Sequence, residues 1–272
     1  MRSSPAPRRA GGSGVRWPFR RVRILILAGL LVFTAARTWY ERYRTTRWVV
    51  PLVMAIYPIR GDSSPVTRRY VAALRPTDFR PIDRFFAREA AHYGVADSEP
   101  IVTRLRPTLD ERPPLRPAGA GPLGTIAWSL RLRYWAWRIG EREREPADIQ
   151  MFVLYRDPAL TPTVPHSLGL EKGLIGVVYA FADSGMSGAN DVIIAHETMH
   201  TLGATDEYDP ANDEPLYPNG YGDPHQVPLY PQRAAELMAG RRMISATTWV
   251  EPASLDEVVI GPKSARQIRW IH

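Results

Sequence analysis

Hydrophobic and polar positions divide the chain into stretches of different period. Residues 1–23 have no period at all. Pro, Gly, Ser and Arg dominate them, a composition that predicts a basic disordered tail. Residues 24–36 form an uncharged apolar run, extendable to 40 only across Arg37, and shorter than the roughly 20 residues of a full membrane span. From Trp48 onward, apolar runs alternate with helical stripes, which predicts one folded unit over 48–272.

Strands are predicted at 48–59, with Pro51 weakening the start, and at 101–105, 149–155 and 173–181. A helix over 81–93 places Ile82, Phe85, Phe86, Ala90 and Tyr93 on one face and stops at Gly94. A second helix, over 125–139, has two apolar faces. Ile126, Leu130, Tyr134 and Trp137 lie on one, Trp128, Leu132, Trp135 and Ile139 on the other, with Arg131 and Arg138 between them. The expectation is that the domain covers both faces; a membrane or a neighbouring subunit is the alternative for one of them. Residues 106–124 form a Pro/Gly-rich loop, prolines from Pro210 to Pro231 punctuate another, and short elements at 254–260 and 264–271 close the chain.

One more helical stripe carries chemistry. Val192, Ile193, Met199 and Leu202 are its apolar positions, and Asn190-Asp191 is its expected cap. Its polar side reads His196-Glu197-Thr198-Met199-His200-Thr201-Leu202-Gly203-Ala204-Thr205-Asp206, or HExxHxxGxxD. Residues four apart in a helix share a face at about 6 Å along the axis, so His196 and His200 can hold one zinc ion together. Glu197 beside the ion can take a proton from water, as a general base. Gly203 can adopt positive φ and end the helix, and Asp206 can then return as third ligand, leaving a fourth position open.

This stretch resembles the zinc signature of metzincin metallopeptidases, HExxHxxGxxH, with Asp206 in the last position as in snapalysin-type small proteases. The resemblance covers about residues 173–245. It implies an α+β zincin-like domain, a twisted mixed sheet with an antiparallel edge strand packed on helices that include the HExxH helix. It also implies a methionine turn under the metal, for which Met238 is the candidate and Met243 the reserve. The strand before the metal helix, 173–181, is expected to be the sheet edge along which an extended polypeptide lies. Tyr208, Tyr217, Tyr221 and Tyr230 are candidates for a phenol that assists at the metal.

Charge and composition narrow the partners. The chain of 272 residues carries +7, but residues 1–47 hold eleven Arg against Glu41 alone, which leaves −3 on the remainder and removes the case for nucleic acid. There are no cysteines, so thiol catalysis, disulfides and Cys-ligated zinc are excluded. Seven Arg precede the apolar run and four follow it, which predicts a single-pass signal anchor over 24–40 in a bacterial-type inner membrane, with 48–272 on the periplasmic side. Secretion after signal cleavage is the alternative. Asp209, Asn212, Asp213 and Glu214 are oxygen donors for a possible calcium ion, though in no EF-hand spacing. His92 and His225 read as surface histidines.

The function that follows is a zinc-dependent endopeptidase. Two other readings stay open, a gluzincin-type hydrolase with Glu214 or Glu236 as third ligand, and a non-catalytic surface binding protein stabilised by zinc.

Overall fold

The computed structural model describes residues 22–29, 31, 32, 36, 47–96, 98–115, 117, 119, 121–143, 145–163, 167–171 and 173–271. The chain divides into two compact units, Met1–Arg42 and Tyr43–His272. In the first, residues 22–29 are helical, with Ile24, Leu25, Ile26 and Leu27 exposed. The expected tail and much of the expected anchor lie outside the described residues. Among the described residues no helix is long and apolar enough to cross a membrane.

The second unit is built on a five-stranded sheet: β1 (Leu52–Arg60), β2 (Ile101–Leu105), β3 (Ile149–Arg156), β4 (Leu168–Leu170) and β5 (Ile175–Phe181), in the order β2-β1-β3-β5-β4. Every pairing is parallel except that of β4 with β5, which is antiparallel. The central strands are apolar on both faces because helices cover both. On one side lie α1 (Pro65–Ala73), α2 (Arg80–His92) and α4 (Ser187–Thr201), whose core with the sheet includes Met54, Ile56, Phe86, Met151, Ile194 and Met199. On the other side α3 (Pro122–Gly140) packs Trp128, Leu132, Trp135 and Ile139 on Tyr57, Phe152 and Leu154. Alternate side chains of β1 thus feed opposite cores.

Three expectations need correction. The strand before the metal helix is not the sheet edge, because β5 lies between β3 and β4. Three residues, Leu-Gly-Leu, form the edge instead, too short to show a period of two. Second, α3 is not covered on both faces. Leu123, Ile126, Leu130, Tyr134 and Trp137 are 48–82% exposed, since among the described residues no second helix packs on that side to receive them. Third, strand β1 starts after Pro51, whose missing N–H would interrupt a central ladder. Helix α1, which the hydrophobic pattern did not reveal, begins at Ser64, whose hydroxyl accepts from the Val66 N–H while Pro65 fixes the first turn.

The C-terminal part returns beneath α4 through β6 (Ala235–Glu236), β7 (Arg242–Met243), β8 (Trp249–Val250), β9 (Val258–Val259) and α5 (Pro262–Gln267). It also meets the start of the domain. The indole N–H of Trp48 donates to the Ile268 carbonyl at 2.8 Å, and the ring meets Trp270 edge-on at 5.6 Å between centroids.

Candidate metal centre

Helix α4 is tied to the sheet before it reaches the motif. It starts at Ser187, so Asn190 and Asp191 lie inside it and do not cap it. Asn190 instead closes on β5, its side-chain oxygen accepting from the Phe181 N–H at 3.0 Å and its amide donating to the Phe181 carbonyl at 2.9 Å. This fixes the rotation of the helix about its axis. His196, Glu197 and His200 then offer ligand atoms that all lie within 4.8 Å of one another, the one such group of three among the described residues.

The end of the helix sets the third group. Gly203 has φ +104°, and the Ala204 N–H bonds back to the Met199 carbonyl at 3.0 Å. A side chain in that conformation would be strained, which explains the glycine. The reversed chain is held by Gln267, which accepts from the Thr205 N–H and donates to its hydroxyl. Asp206 thereby turns back toward the histidines. Its Oδ1 stands 3.2 Å from His196 Nε2 and 3.1 Å from His200 Nε2.

Each imidazole is fixed from behind. His196 Nδ1 lies 2.9 Å from the Leu237 carbonyl and His200 Nδ1 2.9 Å from the Ala204 carbonyl. A carbonyl only accepts, so both Nδ1 atoms carry protons, and both Nε2 atoms converge on the Asp206 oxygen. Ligand atoms at zinc bond lengths in a tetrahedron are separated by about 3.3 Å. The two nitrogen–oxygen separations match that edge, a spacing compatible with a metal ion between the imidazoles and the carboxylate. Without a cation the arrangement is charged unevenly. Burial works to lower the His196 pKa, but the Asp206 hydrogen bond and the Glu197 charge outweigh it and raise it to about 8. Burial works to raise that of Asp206, and the two imidazoles pull it well below the usual carboxylate range.

Glu197 is buried at the wall of a cleft of about 450 Å³, whose other lining residues include His196, His200, Asp206, Tyr208, Arg241 and Glu251. Of the four candidate tyrosines only Tyr208 lines this cleft. Burial, and after it the Asp206 charge, raises its pKa, and the Arg241 guanidinium lies 5.2 Å from its ring centroid. Tyr221 and Tyr230 bond each other through their hydroxyls at 3.1 Å, and Tyr217 meets the Tyr221 ring edge-on.

Met238, the candidate for the methionine turn, is fully buried directly after Leu237, and its carbonyl accepts from the Glu207 N–H at 3.0 Å. Met243 lies in β7 instead. Glu236 is buried too, accepting from the Ser264 hydroxyl and the Gly261 and Ala239 N–H groups; burial raises its pKa to about 7. Glu214 accepts from the Asn212 amide. Neither glutamate joins the two histidines as Asp206 does. The proposed calcium donors are engaged in their own loop, Asp209 and Asn212 with backbone N–H groups and Asp213 with Arg241 at 3.2 Å. His92 and His225 are exposed.

One residue at the site was not legible beforehand. Gly169 of β4 crosses α4 so closely that a Cβ there would stand 2.5 Å from His200 Cβ and 2.6 Å from the Glu197 carbonyl oxygen. The glycine between two leucines was the only sign of it, and the two backbone carbonyls behind the imidazoles left no sign at all.

No protein-family model matches this chain, and no curated protein matches it by sequence. Among solved structures it is similar to catalytically inactive OgpA from Akkermansia muciniphila in complex with an O-glycopeptide substrate, at 10% identity and a TM-score of 0.34. The match covers 80% of this chain and 59% of OgpA, a likeness too loose to carry a function across.

Proposed function

We propose that this chain is a zinc-dependent peptidase, tethered to a bacterial-type membrane through its N-terminal segment and acting on polypeptides outside the cytoplasm. The observation that carries it is the convergence of two backbone-fixed imidazoles on one Asp206 oxygen, with Glu197 in the same cleft. His196, His200 and Asp206 would hold the ion. When bound, zinc supplies Lewis acidity toward water and toward a substrate carbonyl.

The rest is the work of side chains. Glu197 accepts the proton of the attacking water and passes it to the leaving amine, which a carboxylate in a partly dry cleft does well. Tyr208, which lines the same cleft, donates its phenolic proton toward the developing oxyanion. Strand β4 offers its outer edge to an extended polypeptide, and Gly169 allows the strand to approach the histidines closely. The Arg asymmetry around 24–36 supports the topology, and secretion after cleavage is its alternative.

The test is metal content and hydrolysis of a mixed peptide library by the purified protein, beside the Glu197→Gln variant. About one zinc per chain and hydrolysis by the parent alone are expected. Zinc-loaded protein that cleaves no member of the library, or a variant as active as the parent, overturns the reading. Protease added to intact spheroplasts should digest residues 48–272, and full protection overturns the topology.

A further inference from the structure

The motif helix has a second polar position that the cleft does not use. Asp191 precedes His196 by five residues, which turns it about 140° away around the axis. On that far side lies a cavity of about 760 Å³, walled by Tyr70 and Leu74 of α1, Phe85 of α2, Gly188 and Asp191 of α4, and Leu255 of the C-terminal part. Its volume falls in the range of ordinary small-molecule sites, about 300–1,000 Å³.

Asp191 is only 6% exposed, and among the described residues no hydrogen bond reaches its carboxylate. Burial, and after it the neighbouring Asp78, raises its pKa to about 7. Two other buried carboxylates on this side of the sheet are closed by the chain itself. Glu89 accepts from Arg88 and from the Ile260 N–H, and Glu236 accepts three donors. Arg84 and Arg88 line the same cavity without bonding Asp191, and Arg88 is engaged elsewhere. Its Nε goes to Glu89 and one of its amino groups to the Leu255 and Val258 carbonyls. A buried carboxylate that the fold leaves open, facing a cavity with apolar walls, calls for a donor from outside.

The walls select among donors. A divalent cation needs several oxygen ligands around it, and Asp191 is the one buried carboxylate lining the cavity. An ammonium group needs a single counter-ion and a few further acceptors for its three N–H groups. Asp78 and the hydroxyls of Ser184, Ser187 and Ser254 line the same cavity and can serve as those acceptors. Leu74, Phe85 and Leu255 then receive an apolar stem.

We propose that this cavity binds a primary ammonium group carried on an apolar stem, with Asp191 as its counter-ion. The site adjoins the N-terminal half of the helix whose C-terminal half carries the histidines, and it does not depend on the peptidase reading or on a bound metal. The ammonium can belong to a free amine or to the amino terminus of a peptide.

Titration calorimetry on the full chain tests this, with benzylamine as probe and benzyl alcohol as its neutral counterpart. One amine per chain is expected, with the alcohol at least about tenfold weaker. Asp191→Asn should weaken benzylamine by at least about tenfold and leave the alcohol unchanged. Ala73→Trp, a substitution at an exposed residue lining the cavity, should weaken both, and it keeps the test valid if the first variant does not fold. Glu197→Gln should bind as the parent does, which separates this site from the cleft. Phenylalaninamide tighter than benzylamine, with the N-acetylated form inactive, assigns a peptide amino terminus; equal affinities assign a free amine. Equal binding of amine and alcohol, affinities unchanged in both cavity variants, saturation by calcium in place of the amine, or no saturable binding overturns the proposal.

Discussion

The two sides of α4 solve the same physical problem in opposite ways. On the cleft side two imidazoles are half-buried among polar groups, and each is held by a backbone carbonyl, that of Leu237 or Ala204. On the far side a carboxylate is buried at least as deeply, and no group among the described residues bonds it. Between them Thr198 and Thr201 return their hydroxyls to carbonyls of the same helix, so the middle of α4 is self-sufficient. A polar group in a helix is therefore informative less by its type than by the source of its partner. Where the fold supplies the partner, the group is oriented in advance; where it does not, the group awaits one.

The contrast can be broken most sharply at Glu197. Its replacement by Gln retains size and removes the proton acceptor, so kcat should fall by about a thousandfold with zinc content unchanged. Retained turnover would mean that the oriented side of the helix is a structural site. Next comes Asp206→Ala, expected to weaken zinc binding by about a hundredfold or more, since two imidazoles alone are an incomplete set. Elemental analysis beside Glu214→Ala and Glu236→Ala decides the ligand: zinc retained by the first and lost by either glutamate variant gives the metal to another carboxylate.

A smaller effect is expected from Gly169→Val. The new side chain must displace either β4 or the helix, at a cost of about 1–3 kcal/mol in stability, with a loss of activity that follows from the shifted His200. Wild-type values in chemical denaturation and turnover would show that the strand does not press on the helix.

The smallest effect lies in pH. Asp191 and Glu236 both have folded pKa values of about 7, above their ordinary values of 3.8 and 4.5. The folded protein therefore binds more protons than the unfolded chain between about pH 4 and 7. The stability from these protons is complete below that window and is lost as pH rises through 7. Asp206 acts oppositely, but only below its ordinary value of 3.8. Denaturation midpoints of the zinc-loaded protein should thus fall from pH 5 to pH 8, and Asp191→Asn should flatten the fall. A rise over the same interval would remove the assignment.

How much of this could be read from the sequence varies with the range of the interactions. The strand expected at 101–105 is Ile101–Leu105, and the helix expected at 81–93 is Arg80–His92, because burial on a sheet imposes its period on consecutive residues. The two faces of α3 were legible as well, although not which of them would stay exposed; that depends on how many helices share its side of the sheet. The HExxH spacing placed His196, Glu197 and His200 on one side of one helix, a local matter. Edge strand β4 was not legible, since three residues have no period, nor was the cavity at Asp191, whose walls come from four separate segments. The expected capping role suits the residue type of Asp191 but not its place about one turn inside α4.

The contact of Trp48 with Ile268 and Trp270 has a mechanical side. The chain enters the domain at Trp48, so tension on the segment before it meets this clasp ahead of β1. The load passes into the neighbourhood of α5 through an indole hydrogen bond and an edge-on pair of rings, both of which can yield by small rotations. Strand β1 occupies the second position in the sheet, beside β2, and is separated from β4 by β3 and β5. A tug that did pass the clasp would still have to be relayed across two further strands before it moved the edge against His200. The sheet thus stands between the entry of the chain and the edge strand, while the clasp itself reaches the metal site by a shorter route, since Gln267 beside Ile268 holds Thr205 next to Asp206.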